Sequence, residues 1–236
     1  MPNTEHTLKQ FDAELETIRS RVLQMGGLVE EQIVRAMEAL TSGNVQLAAR
    51  VVEDDHQVNA LEVAIDEDCS TIIARRQPAA GDLRMIMMVV KTITDLERIG
   101  DEAAKIARMA QLIYASDRPT VPRTGEIRRV ADIALGMLRN ALDGFARLDL
   151  TVAAKVVRQD EQVDDAFRGI MRQLITFMME DPRTISNAIE ILFVAKAIER
   201  IGDHAKNMSE YVVYMVKGKD VRHTGVEGFE REALTH

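Results

Sequence analysis

The sequence predicts an all-α protein made by tandem duplication of a three-helix unit, and three observations carry that prediction. First, one phrase occurs twice, as Leu96-Glu97-Arg98-Ile99-Gly100-Asp101 and as Ile198-Glu199-Arg200-Ile201-Gly202-Asp203. Second, the stretch from Ala48 to Asn59 aligns with that from Ala153 to Asp164; the offset is 105 residues there and 102 at the later phrase, so three residues were lost or gained between them. Third, apolar residues recur at helical spacing along the chain, and no alternating strand pattern competes. A length of 236 residues accommodates two units of about 110, each long enough for its own core. With 46% hydrophobic residues but only 4% aromatic, 13 Met and no Trp, that core consists of aliphatic and Met side chains between closely packed helices.

Leu8, Phe11, Leu15, Ile18, Val22, Met25 and Val29 alternate in steps of three and four, which places them on one stripe of a supercoiled first helix from about Glu5 to Leu40. Gly26-Gly27 bends or slims that helix, and Ser42-Gly43-Asn44 stops it. The second helix continues to about Arg76, with Val51, Val58, Ile65 and Ile72 seven apart. Pro78 to Asp82 ends it and begins a third, N-capped by Asp82, which carries Ile86, Val89, Ile93 and Leu96 inward and runs to about Ala115. Residues 116–125, dense in Pro, Gly and polar side chains, form the linker between a first unit at 1–115 and a second at 126–216. The second unit has helices near Glu126 to Arg147, Leu150 to Glu180 and Pro182 to Val216, with Asp181-Pro182 as a helix start. From 217 to 236, three glycines and charged residues read as a loosely docked tail.

A net charge of −8 argues against binding nucleic acid through phosphate neutralisation, which needs a Lys/Arg surplus. A single cysteine, Cys69, cannot close an intramolecular disulfide, and Met1 to His6 lacks the apolar stretch of a signal peptide, so a reducing cytoplasm is expected. The apolar run from Met85 to Val90 is far shorter than the roughly 18 residues of a membrane span.

The chemistry lies in the repeated carboxylates. Four residues apart on a helix, Glu97 and Asp101 share a face, as do Glu199 and Asp203. Gly100 and Gly202 each cost roughly 1 kcal/mol of helix stability relative to Ala, so both point to a close backbone approach or to room beside the carboxylates. On the preceding helix Asp55, Asn59, Glu62 and Asp66 form one stripe; the second copy keeps Asp160 and Asp164 but has Phe167 and Met171 at the later places. If the two helices are antiparallel neighbours, each unit gathers three or four oxygen donors suited to a hard or borderline cation. The alternative is a solvated acidic face relieved by Arg98 or Arg200 and by Lys105 or Lys206. Glu53 and His56 make a lone Glu-x-x-His where a di-iron bundle needs two, and His204, whose counterpart is Glu102, reads as a surface or packing histidine. No phosphate-binding Gly loop, nucleophile elbow or Cys/His zinc pattern occurs, and no catalytic residue is assigned.

The two phrases, together with Phe11 to Glu16, Met25-Gly26-Gly27, Ala64 to Glu67, Ala74 to Pro78, Asp82-Leu83-Arg84, Phe145-Ala146-Arg147, Phe177 to Asp181 and Val216-Lys217-Gly218, give the chain its resemblance to the PhoU family over nearly its whole length. That family comprises accessory regulators of bacterial phosphate uptake and signalling. The resemblance implies two three-helix bundles related by a pseudo-twofold, in a cytoplasmic, homodimeric, non-enzymatic protein; the negative charge and the short apolar runs add that it does not bind nucleic acid directly and meets the membrane only through partners. It implies repression of the phosphate regulon when phosphate is plentiful, by linking the phosphate ABC transporter, through its ATPase PstB, to the sensor histidine kinase PhoR. It also implies divalent or trivalent metal ions (iron, zinc, manganese or magnesium) on paired acidic motifs, which match Asp55, Asn59, Glu97 and Asp101 in the first unit and Asp160, Asp164, Glu199 and Asp203 in the second. Asn59 departs from an all-carboxylate pattern and leaves the first site less negative, so weaker binding or a different metal count is expected there. Two other readings stand beside the regulator: a metal-dependent phosphate-ester hydrolase and a helical scaffold with solvated acidic pairs.

Overall fold

In the computed structural model, residues 3–115 and 125–235 are described, with side chains from residue 9 onward. The expected linker lies outside the described residues except for Gly125. The described chain forms eight α-helices: α1 (Asn3–Ser42), α2 (Val45–Asp54), α3 (His56–Arg76), α4 (Ala80–Tyr114), α5 (Gly125–Arg147), α6 (Leu150–Glu180), α7 (Ile185–Lys217) and α8 (Gly225–Leu234). A short 3-10 turn, Pro182–Thr184, leads into α7. No strand occurs among the described residues, so the all-α expectation holds.

Helix boundaries follow local chemistry. The Asn44 side chain accepts from the Leu47 N–H at 3.0 Å, and Asp149 accepts from the N–H groups of Thr151 and Val152, so α2 and α6 begin on capped ends. Gln77 and Gly218 close α3 and α7 in the left-handed conformation, which satisfies trailing carbonyls. Asp82 is not the cap of α4: that helix starts two residues earlier, after extended Ala79, and Asp82 supplies a negative charge in its first turn.

The helix expected to run unbroken to Arg76 is interrupted at Asp55. Around the break the His56 ring nitrogen lies 2.6 Å from the Glu53 carbonyl, and Val58 N–H donates to Asp55 O at 3.0 Å, three residues back, where a regular ladder bonds four back. Gln32 Nε2 and Arg35 Nη1, both on α1, hold Asp55 and Asp54 at 2.7 and 2.8 Å and fix the discontinuity.

The apolar stripes predicted by spacing are the core. Ile18, Val22, Met25 and Val29 of α1, Val51, Val58, Ile65 and Ile72 of α2–α3, and Ile86, Val89, Ile93 and Leu96 of α4 are all buried. In the first half α1, the α2–α3 pair and α4 pack together; in the second, α5, α6 and α7 do the same. Between halves the largest contact is α4 on α7, followed by α1 on α5, so these helices meet their own repeats about a pseudo-twofold, while α2–α3 and α6 lie apart. The α4–α7 pair is antiparallel with constant register: Arg84 lies against Gly218, Lys91 over Tyr211, Asp95 beside Asn207 and Glu102 beside Arg200. Continued, that register sets Gly100 level with Gly202, so the two copies of the repeated phrase meet at the middle of the pair.

Residues after Lys217 are not a loose tail. Val221, Phe229 and Ala233 are buried, and α8 packs on α6, with Arg158 Nη2 to Glu230 Oε1 at 2.5 Å along the contact. A single Phe and two small aliphatics dock a segment whose glycines and charges alone read as mobile.

Candidate metal centre

The second half gathers three of its four expected donors. Carboxylate oxygens of Asp160 and Asp164 on α6 and of Asp203 on α7 all lie within 4.8 Å of one another. Among the described residues this is the only trio of acidic, His or Cys donors so closely convergent. Heptad packing of α6 on α7 produces it, because Val163 beside Asp164 and Ile201 before Asp203 are core positions that turn the neighbouring acids toward the helix seam. Asp160 is buried; its Oδ2 accepts from Lys206 Nζ at 2.6 Å, and its Oδ1 is buried with no partner. An orphaned carboxylate oxygen is costly in a protein interior, and a cation beside it would remove the cost.

Glu199 is brought to the same helix face but is otherwise engaged. Lys196 Nζ grips both its oxygens, at 2.5 and 2.6 Å, and lies 5.4 Å from the centroid of the Phe167 ring. The first half has Thr94 and Glu62 at these two places, so the clamp exists in one copy only.

The first half is looser. Burial, and then Asp101, Glu62 and Asp55 in that order, raise the Glu97 carboxyl above its ordinary range, so these acids share one field. Asn59 and Asp101 are exposed, and among the described residues of this half no three acids converge as in the second. Gln32, which the sequence reading did not single out, is buried here: its Nε2 holds Asp55 Oδ1, and its Oε1 is buried without a partner. A Cβ at Gly100 would lie 3.1 Å from Gln32 Oε1 and 3.4 Å from Asp55 Oδ1, so this glycine admits the polar cluster. Gly202 has no such role, since a Cβ there would make ordinary contacts with Val163 and Met137 at 3.5 Å and beyond. The expected relief of the acids is redistributed as well: Arg200 and Lys105 pair with Glu102, at 2.7 and 3.4 Å, while Lys206 serves Asp160. His204 is a packing histidine, buried between the halves with Nδ1 2.7 Å from Asp95 Oδ1.

The convergent trio has a measurable signature. Burial first, then Glu199, Asp160 and Asp164, push the Asp203 carboxyl up to about 6. A carboxyl raised in the folded state stabilises below its unfolded value, and that contribution is lost as pH rises through the folded one. Glu210, pushed up to about 7 chiefly by burial, acts in the same direction. The carboxyls of Glu14, Asp181, Asp220 and Glu232 are lowered, so their contributions stay constant above pH 5. In chelator, the melting temperature is therefore expected to rise on going from pH 7.5 to 5.5. Asp203→Asn should raise it by a few degrees at pH 7.5, with about 2–4 °C per kcal/mol for a chain of this size, and should flatten the slope. Thermal unfolding at both pH values checks this; an unchanged slope in Asp203→Asn would contradict it.

Fold and site together define a duplicated all-helical protein whose halves each carry an acidic cluster on adjoining helices, the second tight and the first open. The PhoU domain matches residues 22–110 and 127–212, once in each half. The chain belongs to the PhoU family. It is 47% identical over 232 residues to the phosphate-specific transport system accessory protein PhoU of Edwardsiella tarda, covering 98% of this chain and 95% of that one. To the protein of the same name in Escherichia coli (strain K12) it is 46% identical over 227 residues, covering 96% and 93%. The crystal structure of PhoU from Pseudomonas aeruginosa is similar with a TM-score of 0.85 and 47% identity, over 89% of this chain and 100% of that one. The Streptococcus pneumoniae phosphate transport system regulatory protein PhoU gives 0.83 at 28% identity, over 89% and 99%.

Proposed function

We propose that the chain is a non-enzymatic cytoplasmic regulator of phosphate homeostasis, which represses the phosphate regulon under high phosphate by coupling the phosphate ABC transporter, through PstB, to the sensor histidine kinase PhoR. The observation that carries this reading is similarity along almost the whole chain, in both halves, to accessory proteins of the phosphate-specific transport system. Among the described residues no helix is long and apolar enough to cross a membrane, so membrane association through these partners fits the reading. The homodimer stands on the same footing.

Metal ions in the acidic clusters belong to the proposal. The donor set fits: Asp160, Asp164 and Asp203 offer hard oxygens, one of them buried and unpartnered, with Glu199 within reach should Lys196 release it. In the first half Asp55, Asn59, Glu97 and Asp101 would serve, with weaker binding expected. A bound cation would supply positive charge that neutralises the mutual repulsion of the carboxylates and ties the helices together.

Expression in a bacterium lacking its own PhoU, with alkaline phosphatase measured in high phosphate against an empty vector, tests the regulatory role. Restored repression is expected. Persistently high activity beside soluble, folded protein would overturn it.

A further inference from the structure

A cavity of about 350 Å³ lies between the first turns of α4, the last turns of α7 and the segment leading to α8, a size suited to a small ligand. None of the clustered carboxylates lines it. In a chain of net charge −8, its walls carry three cations, Arg84, Lys91 and Arg222. Arg222 is spent on Asp220, through Nε to Oδ1 at 2.9 Å and Nη2 to Oδ2 at 2.5 Å. Arg84 and Lys91 form no ion pair among the described residues. Lys91 Nζ sits 5.6 Å from the Tyr211 ring centroid, and Arg84 Nε is buried with no hydrogen-bond partner.

A guanidinium N–H shut off from water without an acceptor is costly unless something absent from the isolated chain accepts from it. The backbone leaves space for it there. Gly218 caps α7 at a φ of +70°, a conformation that favours glycine, and a Cβ at that position would lie 2.9 Å from Arg84 Nη1, so the glycine leaves room for the guanidinium. The start of α4 adds its positive end on the same side. Glu210, the remaining acid, is buried with its carboxyl up at about 7, so near neutral pH it opposes an anion only in part. The rest of the wall is largely apolar and aromatic: Met87 is 45% exposed, and Tyr211 and Tyr214 also line the cavity.

We infer that this cavity binds a small organic phosphate of the nucleotide class, its phosphoryl oxygens between Arg84 and Lys91 and its flat body against Met87, Tyr211 and Tyr214. A fork of guanidinium donors, with an ammonium two helical turns along the same wall, matches a dianion with three oxygens better than a single carboxylate. The aromatic and Met wall explains why a bare anion would leave the cavity half filled. The site requires neither metal nor the regulatory partners, so it stands or falls apart from the proposed function.

The test is calorimetric titration of the chelator-treated chain, without added metal, with adenosine monophosphate, adenosine and inorganic phosphate. Adenosine monophosphate should saturate a single site, with phosphate and adenosine at least about tenfold weaker. Arg84→Gln and Lys91→Gln should each weaken it by about tenfold or more, with circular dichroism unchanged, while Asp203→Asn leaves it unaltered. Lys91→Gln keeps the test informative if Arg84→Gln unfolds. Absence of saturable binding, inorganic phosphate binding as tightly as the nucleotide, or full affinity in the Lys91 variant would each overturn the assignment.

Discussion

Replacing Asp95 with Ala is expected to destabilise the folded chain by about 3–5 kcal/mol, the range for breaking a buried charged or hydrogen-bonded pair from one side. Asp95 lies on α4 in the seam between halves, 3% exposed. It accepts from the His204 ring at 2.7 Å and from Asn207 Nδ2 at 3.3 Å, both on α7. His204 Nε2 is already buried without a partner. Loss of the carboxylate would orphan the second ring nitrogen too, and leave the half-buried Asn207 amide short of an acceptor. At about 2–4 °C per kcal/mol, the melting temperature should fall by roughly 10 °C. The double variant Asp95→Ala/His204→Ala should cost clearly less than the two single changes added together, because once the histidine is gone only the Asn207 amide is left short of an acceptor. Urea unfolding of the three variants measures the coupling; a loss below about 1 kcal/mol in Asp95→Ala would show that the pair is not closing the seam.

The second large effect concerns the metal centre. Asp164→Ala/Asp203→Ala removes two of the three convergent carboxylates while leaving Asp160 on Lys206, so the core contact of α6 with α7 survives. The unaltered chain, dialysed with manganese and then freed of excess, should hold metal that the variant lacks. With free metal at a hundred times its dissociation constant, binding adds about 2.7 kcal/mol of stability, or on the order of 5–10 °C, and the variant should show none of that increment. Elemental analysis and thermal unfolding with and without chelator read the two quantities separately. Equal metal content in both proteins would remove these residues from any metal site.

The positions that were legible in the sequence are those whose role is set within one helix. Val51, Val58, Ile65 and Ile72 announce themselves by spacing, and every one is buried. The repeated Glu-Arg-Ile-Gly-Asp identified the helices that carry the acids, and Asp160, Asp164 and Asp203 converge. What could not be read depends on a third helix or on differences between the copies. Gln32 enters the first cluster from α1, which no spacing on α3 or α4 reveals. Lys196 withholds Glu199 because Thr94 became Lys in the second copy or the reverse, a change that acquires meaning only once Phe167 is seen beneath the ammonium. The break at Asp55 has no signature in the local sequence, since none of the residues around it is a helix breaker; the side chains of Gln32, Arg35 and His56 decide it. The docking of α8 is equally hidden, because it rests on one buried phenylalanine among glycines and charges.

The antiparallel seam has a consequence for how the chain came to be one molecule. Two identical halves meeting around a twofold would repeat every bond on both sides, yet here Glu102 receives Arg200 and Lys105 while its repeat, His204, faces Asp95, whose own repeat is Ala197. Each half thus bears one side of a lock that does not fit a copy of itself: two first halves would set Glu102 against Arg98 but bring Asp95 opposite Glu102 with no histidine to receive it. Divergence after duplication has made the halves complementary at this seam, and the covalent tether between them joins parts that are no longer interchangeable.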